Sequence, residues 1–178
     1  MNNNYLFLLG SNMGCNPSVI VAIGETGSGK SRILNTILGQ HGREPFFAES
    51  RSLKKPTEDQ LSRETIVTTN NESKTLIEYR GIETINMSEL SKSLRNLKGG
   101  IQVYYCRSIF AIPDAQFERQ LRAFRGMGGN WDVTIVLTFD DKNEDAREVK
   151  EEFGRLGMSV ILASELPNHS RSSWCKLL

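Results

Sequence analysis

Two kinds of hydrophobic pattern alternate along the chain: short continuous apolar runs, and stretches in which apolar residues recur every three or four positions. The apolar run within 18–24 predicts a buried strand. Ile33, Leu34, Ile37 and Leu38 then recur at helical spacing and predict a helix over 31–38. The pattern therefore predicts a strand, a glycine-rich loop and a helix, in that order.

A polar stretch over 39–64 contains Pro45 and Pro56 and predicts a long surface loop. Two β-rich segments follow, at 65–69 and 75–79. The polar residues between them predict a turn, so the two segments are expected to pair as a hairpin.

The second half of the chain repeats the alternation of helices and strands. It predicts helices over 87–97, 113–126 and 142–156, and strands over 101–106, 132–139 and 158–163. Strands that alternate with helices imply an α/β fold with a mainly parallel sheet and helices on both faces.

The length of 178 residues suits one domain with a real core. The pattern places that domain at 18–164, between an N-terminal tail at 1–17 and a short C-terminal tail at 165–178.

Composition indicates which binding partners and which cellular compartment are expected. Lys and Arg number 22 against 21 Asp and Glu, a net charge of +1, so we expect no nucleic acid partner. Cys15, Cys106 and Cys175 are far apart, which predicts free thiols in a reducing compartment. The apolar run over 5–9 is too short for a signal peptide or a membrane span, so a cytoplasmic protein is expected.

The most specific motif is a complete Walker A sequence between the first predicted strand and helix. It reads Gly24-Glu25-Thr26-Gly27-Ser28-Gly29-Lys30-Ser31. Glycines let the backbone fold around a phosphate with its N–H groups pointing inward, and the helix adds its positive N-terminal end. We expect Lys30 to reach the β- and γ-phosphates and the Ser31 hydroxyl to bind Mg²⁺. The motif leaves ATP and GTP both open, and the alternative is a glycine turn that binds nothing.

The residues after this motif resemble a known family. The segment 24–39, with its ending Asn35-Thr36-Ile37-Leu38-Gly39, is similar to the opening of the immunity-associated nucleotide-binding GTPases (GIMAP type), relatives of septins and chloroplast Toc GTPases. The resemblance continues in order from Val19 to Ser164. It implies a P-loop NTPase G domain that binds GTP or GDP with Mg²⁺. Because few residues follow Ser164, the C-terminal helix of such a domain is expected to be missing.

The resemblance also assigns groups near the γ-phosphate. In the family a threonine before the second strand closes on Mg²⁺ and the γ-phosphate. Thr65 stands nearest that place, and Thr57 and Thr68 are alternatives. Thr65 is therefore expected to sense the γ-phosphate and to bind the metal.

The family motif Asp-x-x-Gly falls on Glu78-Tyr79-Arg80-Gly81. Glu78 in place of Asp would reach Mg²⁺ through water, unless it is only a solvent-facing strand residue. Ile82 stands where many GTPases have the glutamine that orients the attacking water, which implies slow hydrolysis.

Base recognition is implied at the end of the strand over 132–139, where the family motif runs from Thr138 to Asp141. The Asp141 carboxylate would accept the N1 and N2 protons of guanine, which adenine does not offer. Ser164 occupies the place of the last base-contacting loop. Two other interpretations of Asp141 stay open: a capping box with Glu144 for the next helix, or the acid of an ATPase Walker B strand.

These patterns together predict a GTP-binding switch or scaffold that hydrolyses GTP slowly, with Lys30 and Thr65 acting on the γ-phosphate. The alternatives are a P-loop ATPase or small-molecule kinase, and a degenerate G domain that acts as a non-hydrolysing interaction module. Expected partners are guanine nucleotide and either a second copy, in a nucleotide-dependent homodimer, or a protein effector. A membrane is expected only if Cys175, in the terminal Cys-Lys-Leu-Leu sequence, is prenylated.

Overall fold

The computed structural model describes most of the domain that the pattern predicts. The described residues are 18–47, 61–67, 73–79, 81, 87–111, 115–126, 129, 131–140, 145–155, 157 and 159–166.

Strands and helices alternate within these residues as the hydrophobic pattern predicts. The strands are β1 (Val19–Ile23), β2 (Leu61–Val67), β3 (Ser73–Tyr79), β4 (Ile101–Ser108), β5 (Trp131–Thr138) and β6 (Ser159–Leu162). The helices are α1 (Lys30–Gln40), α2 (Met87–Arg95), α3 (Ala115–Gly126) and α4 (Ala146–Gly154), followed by a short 3₁₀ helix at Ala163–Glu165.

The strands form one sheet in the order β2-β3-β1-β4-β5-β6. β1 runs parallel to β3 and to β4, and β4, β5 and β6 are parallel in turn. β2 is antiparallel to β3, with a register from Leu61 opposite Tyr79 to Val67 opposite Ser73. The predicted hairpin and the mainly parallel sheet are therefore confirmed.

Each face of the sheet carries its own hydrophobic core, because successive residues of a strand point to opposite faces. Val19, Val21 and Ile23 of β1 pack with apolar residues of α2, α3 and α4. Ile20 and Ala22 of the same strand pack with Ile33, Leu34, Ile37 and Leu38 of α1. Helices thus cover both faces, as expected. In the part of the chain that the structure describes, no helix is long and apolar enough to cross a membrane.

The predicted loop over 39–64 is wrong at its end, because residues 61–64 belong to β2. β2 is the edge strand, and its backbone pairs with β3 on one side. The sequence Leu-Ser-Arg-Glu there shows little hydrophobic alternation, so backbone pairing decides its structure.

The packed domain continues past its predicted boundary at Ser164. Glu165 accepts hydrogen bonds from Lys150 Nζ and from the Leu162 amide, both at 2.8 Å. Leu166 is buried against the α1 face of the sheet. Residues 167–178 lie outside the described part of the chain, so the missing C-terminal helix stays a prediction.

Cys106 of β4 is a buried free thiol, as predicted. Burial raises the pKa of the Cys106 thiol to about 12, so the thiol is neutral at physiological pH. Cys15 and Cys175 lie outside the described residues.

A buried amide side chain fixes the segment that leaves α1. Asn35 Oδ1 accepts hydrogen bonds from the amides of Phe46 and Phe47 at 3.1 and 3.0 Å, and its Nδ2 donates to the Phe47 carbonyl at 2.8 Å. Phe47 is thereby held in the core, although the predicted surface loop contained it. Asn35, which helped to carry the family resemblance, therefore has a structural role.

Replacing Asn35 should destabilise the fold through these contacts. Asn35→Ala leaves two amides and a carbonyl without their partner, so we expect the free energy of unfolding to fall by about 2–3 kcal/mol in a urea titration. Thr36→Ala is the matched control, since the Thr36 hydroxyl donates to the Arg32 carbonyl of the same helix at 2.9 Å. The control should change stability by no more than about 0.5 kcal/mol. Equal losses in the two variants would contradict the role of Asn35.

Candidate functional site

The carboxyl ends of the five parallel strands meet at one edge of the sheet. Open α/β sheets bind ligands at this edge. The Walker A loop leaves β1 there and enters α1 at Lys30. The loop therefore has the strand-to-helix setting that phosphate binding requires.

Two glycines of the loop sit where a side chain cannot. Gly24 has a φ of 142°, and a Cβ at this position would collide with the Cys106 carbonyl oxygen of β4. Gly29 has a φ of 83°, and its Cβ would lie 3.1 Å from the Thr138 Cγ2 of β5. The loop is thus pressed against the ends of β4 and β5, and this close approach requires glycine.

Lys30 folds back over the loop. Its ammonium group donates hydrogen bonds to the Gly24 carbonyl at 3.1 Å and to the Glu25 carbonyl at 2.7 Å. The residue is 6% exposed. A buried ammonium needs such partners, and these carbonyls hold its charge at the mouth of the loop.

Ser31 and Glu78 come together although 47 positions separate them in the chain. The Ser31 hydroxyl donates to Glu78 Oε1 at 2.7 Å. Burial raises the pKa of Glu78 above its ordinary value, and the Ser31 hydrogen bond and the Lys30 charge oppose this shift. Glu78 therefore faces the loop, which disfavours the interpretation of a solvent-facing strand residue.

A hydroxyl and a carboxylate are the oxygen ligands that Mg²⁺ takes from proteins when phosphates and water supply the rest. Ser31 and Glu78 fit this description. Among the described residues no group of three or more His, Cys, Asp or Glu could hold a metal by itself. The donor set is therefore suited to a metal that arrives with a phosphate ligand.

Thr138 ties the loop to the end of β5. Its hydroxyl lies 2.9 Å from the Ser28 carbonyl and 3.1 Å from the Arg107 carbonyl, and the residue is 2% exposed. We predicted this residue as part of the base-recognition motif, and the structure places its side chain inside, between two carbonyls. Thr138 is therefore suited to position the loop.

The loops after β5 and β6 meet at the same edge. The Ser164 amide donates to Asp140 Oδ2 at 3.1 Å, so Ser164 lies beside the predicted base-recognition motif. Phe139 turns the chain there with a φ of 63°, a strained value for a residue other than glycine. Asp141 itself lies outside the described residues.

The structure does not bring Thr65 to this site, and the prediction for Thr65 is corrected accordingly. Thr65 pairs with Thr75, and Thr75 lies opposite Val19 at the amino end of β1. Thr75 is three residues before Glu78, about 10 Å along the strand. The hairpin reverses the direction of β2, so its later residues move away from the loop. Thr57 and Thr68 lie outside the described residues.

Arg107 was not among the predicted site residues, and it lies beside the loop. Its side chain is 6% exposed, and its Nη1 lies 3.8 Å from Glu25 Oε1. Its guanidinium carbon lies 4.2 Å from the centre of the Phe117 ring. Arg107 is a charged residue directly after the apolar run over 101–106, and this was the signal that the sequence offered.

Substitution of the two glycines Gly24 and Gly39 should have opposite effects. Gly24→Ala places a Cβ against the Cys106 carbonyl at a φ that alanine avoids, so we expect a loss of about 3 kcal/mol or more in the free energy of unfolding. Gly39 lies in α1 with no atom within 4 Å of an added Cβ, so Gly39→Ala should stabilise by about 0.5 kcal/mol. Thermal and urea unfolding of both variants measure this. An unchanged Gly24→Ala protein would contradict the close packing of the loop.

Comparisons with known proteins bear on the fold. No family model matches the chain, and no curated protein matches it. The fold is similar to the solved structure of the signal recognition particle receptor SRb-GTP/SRX complex from Chaetomium thermophilum. The two share 15% sequence identity with a TM-score of 0.52 over 84% of this chain and 90% of that chain. The chain therefore has the α/β fold of a P-loop G domain.

Proposed function

We propose that the protein binds guanine nucleotide with Mg²⁺, hydrolyses GTP slowly and works as a nucleotide-controlled switch or scaffold of the GIMAP-like type. One observation carries the proposal. The Ser31 hydroxyl and the Glu78 carboxylate lie 2.7 Å apart beside Lys30, at the mouth of a Walker A loop. Distant residues thus supply the donor set that a Mg²⁺-nucleotide requires.

In this proposal, different groups of the site bind the phosphates and the metal. The backbone N–H groups of the loop and the start of α1 attract negative charge, and Lys30 would exchange a loop carbonyl for a phosphate oxygen. Ser31 and Glu78 would hold Mg²⁺, which neutralises phosphate charge when it is bound. Catalysis is by positioning and electrostatics, since no other acid or base is required of the protein.

Three observations support guanine over adenine. The structure with a similar fold is a complex that contains GTP. Asp140 and Ser164 join the two loops that would surround a base. Asp141 directly follows Asp140 in the sequence, and its carboxylate would pair with the N1 and N2 protons of guanine.

The position of Glu78 weighs against the ATPase alternative in which Asp141 is the Walker B acid. Glu78 of β3, the direct neighbour of β1, already faces Ser31. In this proposal Glu78 is therefore the acid that binds the metal, and Asp141 recognises the guanine base.

Slow hydrolysis follows from the residue after Gly81, where Ile82 cannot orient a water molecule. A protein partner is proposed on the same basis, either a second copy or an effector that completes the site. The similar structure is itself a complex with a protein, SRX. We propose a cytoplasmic location, with membrane attachment only through a prenylated Cys175.

A nucleotide titration tests the proposal. Purified protein is titrated with fluorescent GDP, with and without Mg²⁺, and GTP and ATP compete for the site. We expect GTP to displace the probe and ATP not to, and Mg²⁺ to tighten GTP binding. In Asp141→Asn the preference should move from GDP to xanthosine diphosphate, because the amide offers a donor where the carboxylate offered an acceptor.

Equal displacement by ATP and GTP would reject the guanine assignment. If Asp141→Asn keeps the wild-type preference for guanine nucleotides, the protein binds guanine but Asp141 does not recognise the base.

A turnover assay tests hydrolysis separately. We expect slow release of phosphate from GTP, above the background of a Lys30→Ala variant, which lacks the ammonium that neutralises phosphate charge. The loss in Lys30→Ala should be tenfold or more, about 1.4 kcal/mol or greater in transition-state stabilisation. Wild-type release equal to that of Lys30→Ala would instead favour the non-hydrolysing interaction module.

A further inference from the structure

The phosphate-binding loop contains an acid. Glu25 is the second residue of the Walker A sequence, and its side chain is 55% exposed. A loop that holds a polyanion gains nothing from a carboxylate, because like charges repel at this range. A cation beside Glu25 would offset this charge.

Arg107 is the group placed to do so. Its Nη1 lies 3.8 Å from Glu25 Oε1, at the end of β4 against which the loop packs. The guanidinium stacks on the Phe117 ring at 4.2 Å, and its Nε donates to the Ala111 carbonyl at 3.4 Å. A planar guanidinium that is stacked and hydrogen-bonded in this way is fixed in place.

We infer that Arg107 is a positioning residue of the phosphate site, which neutralises Glu25 and keeps its carboxylate turned toward β4. The inference rests on the proposed function, since it concerns the same loop and its phosphate ligand. Arg107 acts through Glu25 and does not itself contact the nucleotide.

Two features of Arg107 support a role in charge as well as in packing. Burial of a guanidinium costs desolvation, and an apolar side chain of similar length would fill the same space without that cost. The backbone of Arg107 is also part of the site, since its carbonyl lies 3.1 Å from the Thr138 hydroxyl, which contacts Ser28. Both the side chain and the backbone of Arg107 therefore lie beside the loop.

The test is a double-mutant cycle on the full chain, with Arg107→Met, Glu25→Gln and the double variant. Affinity is measured for GDP and for inorganic tripolyphosphate. Arg107→Met leaves Glu25 uncompensated, so we expect both ligands to bind about three- to tenfold more weakly. In the double variant the affinity should return to within about twofold of wild type, because the repelling acid is gone.

Two further variants control the experiment. Arg122→Met removes an equal charge from α3, where Arg122 is exposed and pairs with Glu118 at 2.7 Å, and should leave both affinities unchanged. Arg107→Lys keeps the charge and should retain most of the affinity. The deficit of Arg107→Met should shrink as salt is raised from 0.05 to about 0.5 M, since salt screens the repulsion.

A double variant as weak as Arg107→Met would overturn the inference, because Arg107 would then act through packing alone. An equal loss in Arg122→Met would overturn it as well. If Arg107→Met does not fold, the Glu25→Gln variant provides the test. Because Arg107 then has no carboxylate beside it to offset its positive charge, Glu25→Gln should bind tripolyphosphate more tightly than wild type. Unchanged binding would contradict the inference.

Failure of the proposed function gives a different result. A wild-type protein that binds tripolyphosphate and ATP as well as GDP refutes the choice of guanine, and the tripolyphosphate cycle still decides the role of Arg107. A protein that binds none of these ligands refutes both.

Discussion

The close approach of the Walker A loop to β4 is the constraint on which the site depends. Gly24 lies directly against the Cys106 carbonyl, so the loop can reach this place only without a side chain there. Because the loop is seated against the sheet, Lys30 can fold back onto its carbonyls and Ser31 can meet Glu78. A loop displaced by the width of one methyl group would lose this arrangement.

Buried polar side chains hold the surroundings of the loop by bonding to backbone groups. The Thr138 hydroxyl lies within hydrogen-bond distance of the Ser28 and Arg107 carbonyls. Asn35 Oδ1 accepts hydrogen bonds from the Phe46 and Phe47 amides. The single Thr138 hydroxyl proton is shared between its two carbonyls, and the Asn35 amide bonds to three backbone groups beyond the end of α1. Thr138 thus links the ends of β4 and β5 to the loop, and Asn35 links α1 to the segment that follows it.

Hydrophobic periodicity is a dependable guide to the parallel strands and the helices, since their burial requires it. β1 and residues 134–138 of β5 are buried on both faces, and their apolar residues stand in continuous runs. The edge strand β2 is different, because its first four residues are held by backbone pairing and carry no clear pattern. The register of β2 against β3 decides where each threonine of β2 lies. It places Thr65 at the end of the hairpin that is remote from the Walker A loop.

The sequence by itself determined the class of fold and the phosphate-binding loop, because both depend on local order: alternating apolar patterns, and glycines at fixed spacing before a helix. Only the tertiary structure decided which distant groups join that loop. Ser31 meets Glu78, and Arg107 meets Glu25, because the sheet order places β3 and β4 on either side of β1. Side chains that are far apart in the chain come together through strand pairing and register, and a single sequence does not contain that geometry.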